Sequence, residues 1–417
     1  MTPHQLEQLS AEYRKVRSRT QRLCEPLAIE DYGVQPKDDA SPPKWHLAHT
    51  TWFFETFILK QLVKGFEPFH PKFEYLFNSY YNGVGKPFPR AERGYLSRPT
   101  VAEIQAYRAH VDEQMTTLVE QGLTPEMRSR VVLGLHHEQQ HQELLLTDMK
   151  YNFGHNPLYP VYVDQIPSAK PLGSMGFIEQ PGGIVDIGCN PGEGFSFDNE
   201  GPVHQVLLQP FAMADRLVSN GEYLEFIQDG GYRQPQLWLS EGWSIVQQRQ
   251  WRAPLYWHDF DDEWFEYRLD GLAPINPDLP VVHVSAHEAF AYAAWRGARL
   301  PTEFEWETVA RGLPAKGQYA DEGYFHPLGL QGHDAQEIEQ MFGSVWQWTS
   351  SSYGPYPGYR TLPGTLGEYN GKFMSSQLVL RGGSCATPRT HLRPTYRNFF
   401  YPPDRWQFSG IRLAQDL

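Results

Sequence analysis

Residues 124–154 constrain this chain more than any other stretch. Thr124, Pro125 and Glu126 have the form of a capped helix start with proline at its first position. Val131, Leu135, Leu144, Leu145 and Met149 continue at helical spacing, and the segment 152–154 (NFG) closes it. On such a helix His137 and His141 are four residues apart, so both rings leave one face a turn apart and are able to share a metal ion. A solvated histidine pair is the bland alternative. Residues 137–141 (HEQQH) also match the zinc-protease pattern H-E-x-x-H literally. A third ligand from elsewhere in the chain decides between these readings.

Three further helices are predicted before it. Residues 4–24 carry Leu6, Leu9, Tyr13, Val16 and Leu23 near the helical period. A second helix opens at residues 41–43 (SPP) and has an aromatic-rich face of Trp45, Trp52, Phe53 and Phe57. It also carries His46 and His49. Residues 100–122 form a third, amphipathic helix through Val101, Ile104, Tyr107, Val111, Met115 and Leu118. Four helices with one long connection over 64–99 imply a four-helix bundle, and bundles build metal sites from side chains on facing helices. His49 or His46 is then the natural third ligand. The long connection holds Tyr80, Tyr81, Arg90, Arg93 and Arg98. Loops of that length in compact domains are usually functional. Phenols there are able to deliver protons, and arginine forks are able to hold carboxylates.

Composition removes other classes. A net charge of −13 with scattered Lys and Arg argues against a nucleic-acid surface. No apolar run reaches membrane-spanning length, and the first residues show no basic-then-apolar leader, so a cytoplasmic protein without membrane partners is expected. Cys24, Cys189 and Cys385 are too far apart to suggest a disulfide framework or a cysteine zinc site.

After residues 157–160 (PLYP) the helical periodicity largely stops. Strands are expected at 182–188 and 203–208, and helices at about 219–228 and 285–296. Five motifs follow in order: FDNEGPVH at 197–204, RLPTEFEW at 299–306, GSVWQW at 343–348, LRGGS at 380–384 and GIRL at 410–413. Together they resemble the formylglycine-generating-enzyme/sulfatase-modifying domain, which implies an irregular, C-type-lectin-like fold. Enzymes of that type bind copper through two nearby cysteines. Here only Cys385 lies in the region, so copper-dithiolate chemistry is not expected. The expected fold class is therefore α+β: a DinB-like four-helix bundle over 1–155, a linker over 156–180, and a C-type-lectin-like domain with little regular secondary structure over 181–417.

The whole chain, with WHLAH at 45–49 and HEQQH at 137–141 fused to that second domain, resembles the sulfoxide synthases of ergothioneine biosynthesis (EgtB family). The resemblance implies an oxidoreductase with one mononuclear non-haem Fe(II) held by His49, His137 and His141. The implied reaction joins C2 of hercynine to the sulfur of cysteine or γ-glutamylcysteine, with O2 as co-substrate, and gives a sulfoxide. By motif match, Gln140 contacts hercynine, and Asn398, Phe399 and Phe400 help hold its amino-acid end. Arg90 and Arg93 match a pair that holds carboxylates of the thiol substrate. Tyr80 and Tyr81 resemble a tyrosine pair of one subgroup, one of whose phenols is expected to donate a proton or hydrogen bond during turnover. Other subgroups carry that tyrosine in the second domain, where Tyr353, Tyr356, Tyr359 and Tyr369 are candidates.

Three alternatives share parts of this pattern. A selenoneine synthase would use a selenosugar with hercynine on the same scaffold. The ovothiol-pathway enzyme, a 5-histidylcysteine sulfoxide synthase, is usually longer, with a methyltransferase domain not seen here. A non-catalytic binding module would not need the three histidines. Oligomeric state is not legible in the sequence.

Overall fold

In a computed structural model, residues 2–417 are described except Pro191, Glu193, Asp262 and 333–335. They form two units: Met1–Asn156 together with Pro363–Tyr369, and Pro157–Leu362 together with Asn370–Leu417.

The first unit is helical: α1 (Pro3–Arg22), α2 (Pro43–Phe54), α3 (Lys60–Leu62), α4 (Phe73–Phe77), α5 (Val101–Gln121) and α6 (Pro125–Gly154). α2 passes into α3 through a π-helical turn, Glu55–Leu59. Threonine side chains start three of the long helices. Thr2, Thr100 and Thr124 accept hydrogen bonds from the backbone of Gln5, Glu103 and Met127, satisfying amides that have no partner in the first turn. α2 packs on both α5 and α6, and all twelve of its residues are buried. Its histidines are therefore held in the interior. α6 approaches α2 closely because residue 134 is glycine: a Cβ there would lie 2.7 Å from the Phe54 ring. That close approach occurs one turn before His137.

A buried ion cluster ties α1, α5 and α6 together. Glu138 on α6 accepts from Arg17 Nη1 at 2.9 Å, from Thr20 Oγ1 at 2.6 Å and from Arg108 Nη2. Arg17 also reaches Asp112 at 2.6 Å and Thr51 at 3.0 Å. The segment Pro363–Tyr369 joins this unit through Glu368, whose carboxylate accepts from the backbone of Asn82 at 3.1 Å and Gly83 at 2.8 Å.

The second unit mixes short sheets with α7 (Asn220–Gln228), α8 (Ser240–Arg249), α9 (Ala286–Trp295) and α10 (Glu303–Arg311). Strand Phe211–Ala214 lies between Phe177–Gln180 and Ala414–Asp416, antiparallel to both. A four-stranded sheet runs in the order Asn398–Phe400, Leu378–Arg381, Trp346–Ser352, Ser409–Gly410, and its last pair is parallel. Gly183–Ile187 and His204–Leu208 are strands where the sequence leads one to expect them, and they pair antiparallel; α8 and α10 are additions. The stretch 156–180 is not a free linker. Tyr162 and Val163 donate to Leu269 O at 2.7 and 3.0 Å, and Phe177–Gln180 is a sheet strand. Backbone groups in these positions need partners, and the second unit supplies them.

Residues of four of the five sequence motifs converge on one buried polar hub. Gln347 Oε1 accepts from Trp306 Nε1 at 2.9 Å and from Arg412 Nε at 2.8 Å. Arg412 also donates to Ala214 O and Glu339 O, both at 2.6 Å. Arg381 and Arg397 are paired with Glu303, and Arg381 also with Glu307. These residues explain the motifs as fold determinants: they satisfy polar groups in a domain poor in regular backbone pairing.

Candidate metal centre

Three imidazoles meet in the helical unit. His49 comes from α2, and His137 and His141 from consecutive turns of α6. One nitrogen of each lies within 4.8 Å of the others, and this is the one such group of His, Cys, Asp or Glu among the described residues. His49 Nε2 is 3.1 Å from His137 Nε2. His49 Nδ1 is 2.6 Å from Phe77 O, a carbonyl that only accepts, so that nitrogen carries the proton and Nε2 is left bare. His49 and His137 are buried, while His141 is half-buried. The His49 ring is clamped between Trp45, with centroids 4.5 Å apart, and Trp52, at 5.3 Å. His137 stacks on Phe53 at 4.5 Å.

The electrostatics suit ligation. Burial lowers the His137 pKa to about 3, against an ordinary 6.5. Burial, and then the neighbouring imidazoles, hold His49 and His141 well below the ordinary value. All three rings are therefore neutral at pH 7, as metal ligands must be. His137 Nδ1 is buried without a hydrogen-bond partner among the described residues. Three neutral imidazoles with bare nitrogens turned together fit a borderline divalent ion such as Fe(II).

A pH dependence follows. In the unfolded chain these histidines take up protons as pH falls through 6.5, whereas in the folded chain they do not. Folding stability of the metal-free protein is thus full above about pH 7 and falls on acidification, towards about pH 3 for His137. Each histidine contributes at most about 1.4 kcal/mol per pH unit in that window. Thermal melts from pH 7.5 to 5 should show a falling midpoint, and the fall should be shallower in His137→Ala.

Glu138, the acid of the H-E-x-x-H pattern, does not face this cluster as a free base. Its carboxylate is fully buried and held by Arg17, Arg108 and Thr20. Burial alone would raise its pKa, but Arg108 and Arg17 overrule it and hold it at about 2. Adjacent helix positions point about 100° apart, which separates Glu138 from the metal-facing histidines. The zinc-protease reading therefore loses its general base.

The other expected residues fall as follows. Arg93 is 3 % exposed, donates to Ser41 Oγ at 2.8 Å, and sits over Trp45 with its guanidinium carbon 3.5 Å from the ring centroid. Arg93, Trp45, His49 and Trp52 thus form one continuous stack. Arg90 is exposed and donates to Asp39 O, so the Arg pair is split between interior and surface. Tyr81 is fully buried, stacked on Tyr80 at 4.6 Å, and packed against Trp52. Gln140 accepts a hydrogen bond from the Tyr369 hydroxyl. Tyr369 also packs edge-on against His137, with centroids 5.8 Å apart. It is the one tyrosine of the stretch 349–378 that belongs to the helical unit. In the sequence alone it is one of four equivalent candidates, with Tyr353, Tyr356 and Tyr359.

In the second unit, Asn398 Oδ1 accepts from Phe399 N at 2.9 Å. Phe399 stacks on Tyr353 at 4.0 Å, and Phe400 lies near Trp406 at 6.2 Å. His136 is outside the three-histidine group. His46 is also outside it, but lies 3.0 Å from His141 Nδ1 through its own Nδ1. No helix among the described residues is long and apolar enough to cross a membrane.

Fold and site define a two-unit α+β protein: a helical bundle with a three-histidine cluster, and a C-type-lectin-like unit. Residues 12–145 match the DinB superfamily, and residues 166–329 and 320–417 match the sulfatase-modifying factor enzyme 1-like domain. A hercynine oxygenase of Mycolicibacterium smegmatis is 32% identical over 439 residues, covering 99% of each chain. One from Mycobacterium tuberculosis is 33% identical over 437 residues, again covering 99% of each. A formylglycine-generating enzyme of Streptomyces coelicolor is 29% identical over 52% of this chain and 81% of its own. The chain belongs to the hercynine oxygenase family and is an oxidoreductase.

Proposed function

We propose that the protein is an Fe(II)- and O2-dependent sulfoxide synthase. It joins C2 of the hercynine imidazole to the sulfur of cysteine or γ-glutamylcysteine. The balance is closed: hercynine and thiol each lose one hydrogen, O2 takes four electrons, one oxygen ends on sulfur and the other in water. The observation that carries this reading is the cluster of three neutral imidazoles, His49, His137 and His141, in a chain that aligns end to end with hercynine oxygenases. Iron bound there would supply the redox centre at which dioxygen and the thiolate react.

The chain's own residues are assigned as follows. Arg93 takes a carboxylate of the thiol substrate. Burial, and then neighbouring Arg90, work against its charge, while Asp148 favours it. A guanidinium does not give up its proton, so the unfavourable setting amounts to a demand for an anion. Arg90, at the surface, is assigned a secondary role toward the same substrate. Gln140 and Tyr369 act together: the carboxamide holds the phenol beside His137, and that phenol delivers a proton or hydrogen bond during turnover. Tyr80 and Tyr81 compete for this role from a layer behind Trp52. Asn398, Phe399 and Phe400 are assigned to hercynine's amino-acid end from the family resemblance, where aromatic faces would attract a trimethylammonium group.

The test is aerobic incubation of the iron-reconstituted protein with hercynine and each thiol, read by product mass. A hercynyl-cysteine sulfoxide, or its γ-glutamyl form, is expected. Simple thiol disulfide as the sole product from a filled site would overturn the reading. Arg93→Met should raise KM for the thiol about 10–100-fold, the equivalent of a lost charge-assisted hydrogen bond, with KM for hercynine little changed. Tyr369→Phe should shift product from sulfoxide towards oxidised thiol. If Tyr80→Phe or Tyr81→Phe does so instead, the phenol is misassigned.

A further inference from the structure

His46 is an imidazole that the metal reading leaves over. It lies on α2, between two side chains of α6 that are seven residues and therefore about two turns apart. His46 Nδ1 is 3.0 Å from His141 Nδ1, and His46 Nε2 is 3.0 Å from Asp148 Oδ2. His46 and Asp148 are both buried, at 2 % and 4 % exposure. Asp148 Oδ2 also accepts the Ser41 backbone N–H at 2.8 Å. We infer that Asp148 and His46 are positioning residues that select the tautomer of His141 and so present its Nε2 to the metal. The inference rests on the reading of His49, His137 and His141 as ligands.

An ionised carboxylate has no proton to donate, so the nitrogen of His46 that faces it, Nε2, carries the hydrogen. His46 is taken as a neutral ring, whose Nδ1 is then bare and accepts; a charged His46 would donate from both nitrogens and leave His141 protonated at Nε2, the contrary result in the NMR arm of the test. The group facing it is His141 Nδ1, which donates. His141 is thereby left with a bare Nε2. A ligating histidine whose second nitrogen is tied to a carboxylate-backed acceptor is fixed in orientation and made a better donor to the metal.

The three ligands differ in this respect. His49 is oriented by a backbone carbonyl, Phe77 O, which no side-chain change removes. His137 Nδ1 has no partner among the described residues. His141 alone is governed by a side-chain pair. The same pair is linked outward, because Ser41 bonds Asp148 through its backbone and Arg93 through its hydroxyl. A buried histidine that merely satisfies its own hydrogen bonds would account for the His46–Asp148 contact. The Nδ1 contact ties His46 to the cluster, and His141 tautomer and metal affinity separate a positioning role from simple satisfaction of that nitrogen.

The test uses the full chain and has two arms. In the first, metal-free wild type labelled with 15N-histidine is examined by two-bond 1H–15N correlation NMR. His141, assigned by its absence in His141→Gln, should be a single tautomer protonated at Nδ1. In the second, Fe(II) and Co(II) affinities are measured anaerobically by chelator competition for wild type, Asp148→Asn and His46→Phe. Affinity should fall about 10–100-fold in both variants, and the Asp148→Asn spectrum should show mixed His141 tautomers. Asp148→Glu should restore part of the affinity. Protonation of His141 at Nε2 in wild type would overturn the inference even if neither variant folds. Unchanged affinity in folded variants would overturn it while leaving the ligand reading intact. A wild type that binds neither metal would sink both.

Discussion

Glu138→Gln is expected to lower the stability of the helical unit by about 3–5 kcal/mol, the usual effect of removing one partner from a buried ion cluster. Glu138 is fully buried and is the acceptor shared by Arg17, Arg108 and Thr20. Glutamine keeps the shape but cannot balance two guanidinium charges. Arg17 would retain Asp112 at 2.6 Å, whereas Arg108 would keep only neutral partners, Thr50 at 3.2 Å, Thr51 at 3.4 Å and Arg17 O at 2.9 Å. A drop of about 10 °C in the transition of the helical unit is the corresponding readout for a unit of this size. The unfolding signal must be followed as separate transitions, because a chain of two units need not unfold in one step. The same substitution separates two accounts of HEQQH. If Glu138 were a general base, Glu138→Gln would abolish turnover at unchanged stability. The cluster predicts the reverse order of effects: a large stability loss, with activity following the folded fraction.

The second large effect is on metal binding. His137→Ala or His49→Ala should cost more metal affinity than the ~10–100-fold typical of losing a second-shell group, and should take turnover below detection. For His137→Ala the metal-free stability should change little at pH 7.5. Removing His137 loses packing on Phe53, but it also removes a buried nitrogen without a partner, and these terms oppose each other. A structural histidine would behave in the opposite way, with a clear stability loss and no change in metal content.

Much of the helical unit was legible because its signals are local. Thr124 before Pro125 marks a helix start, and the apolar period over 100–122 marks α5, without tertiary information. α2 is harder to read, since a helix buried on every side has no polar face to give a period; its aromatic residues carry the signal instead. His46 and His49 are both visible as candidates, but only the contacts with Asp148 and His137 separate a supporting imidazole from a ligand. Glu138 shows the converse. Its motif position suggests chemistry, and its real partners lie 121 and 30 residues away.

In the second unit the motif residues Trp306, Gln347, Arg381 and Arg412 are conspicuous in sequence, yet their common role in one polar hub appears only when they are brought together. The capping pair Thr302 and Glu305 is a readable start for α10, hidden because the same residues belong to a family motif. No local pattern assigns Pro363–Tyr369 to the helical unit. That depends on Glu368 meeting the amides of Asn82 and Gly83, and on Tyr369 meeting Gln140.

The central claim is that His49, His137 and His141 together hold one iron ion. The most direct measurement is iron content per chain after anaerobic Fe(II) loading and desalting at pH 7.5, for wild type and His49→Ala side by side. One iron per wild-type chain and almost none in the variant is the expected result. Equal iron in both, or none in wild type, would contradict the account.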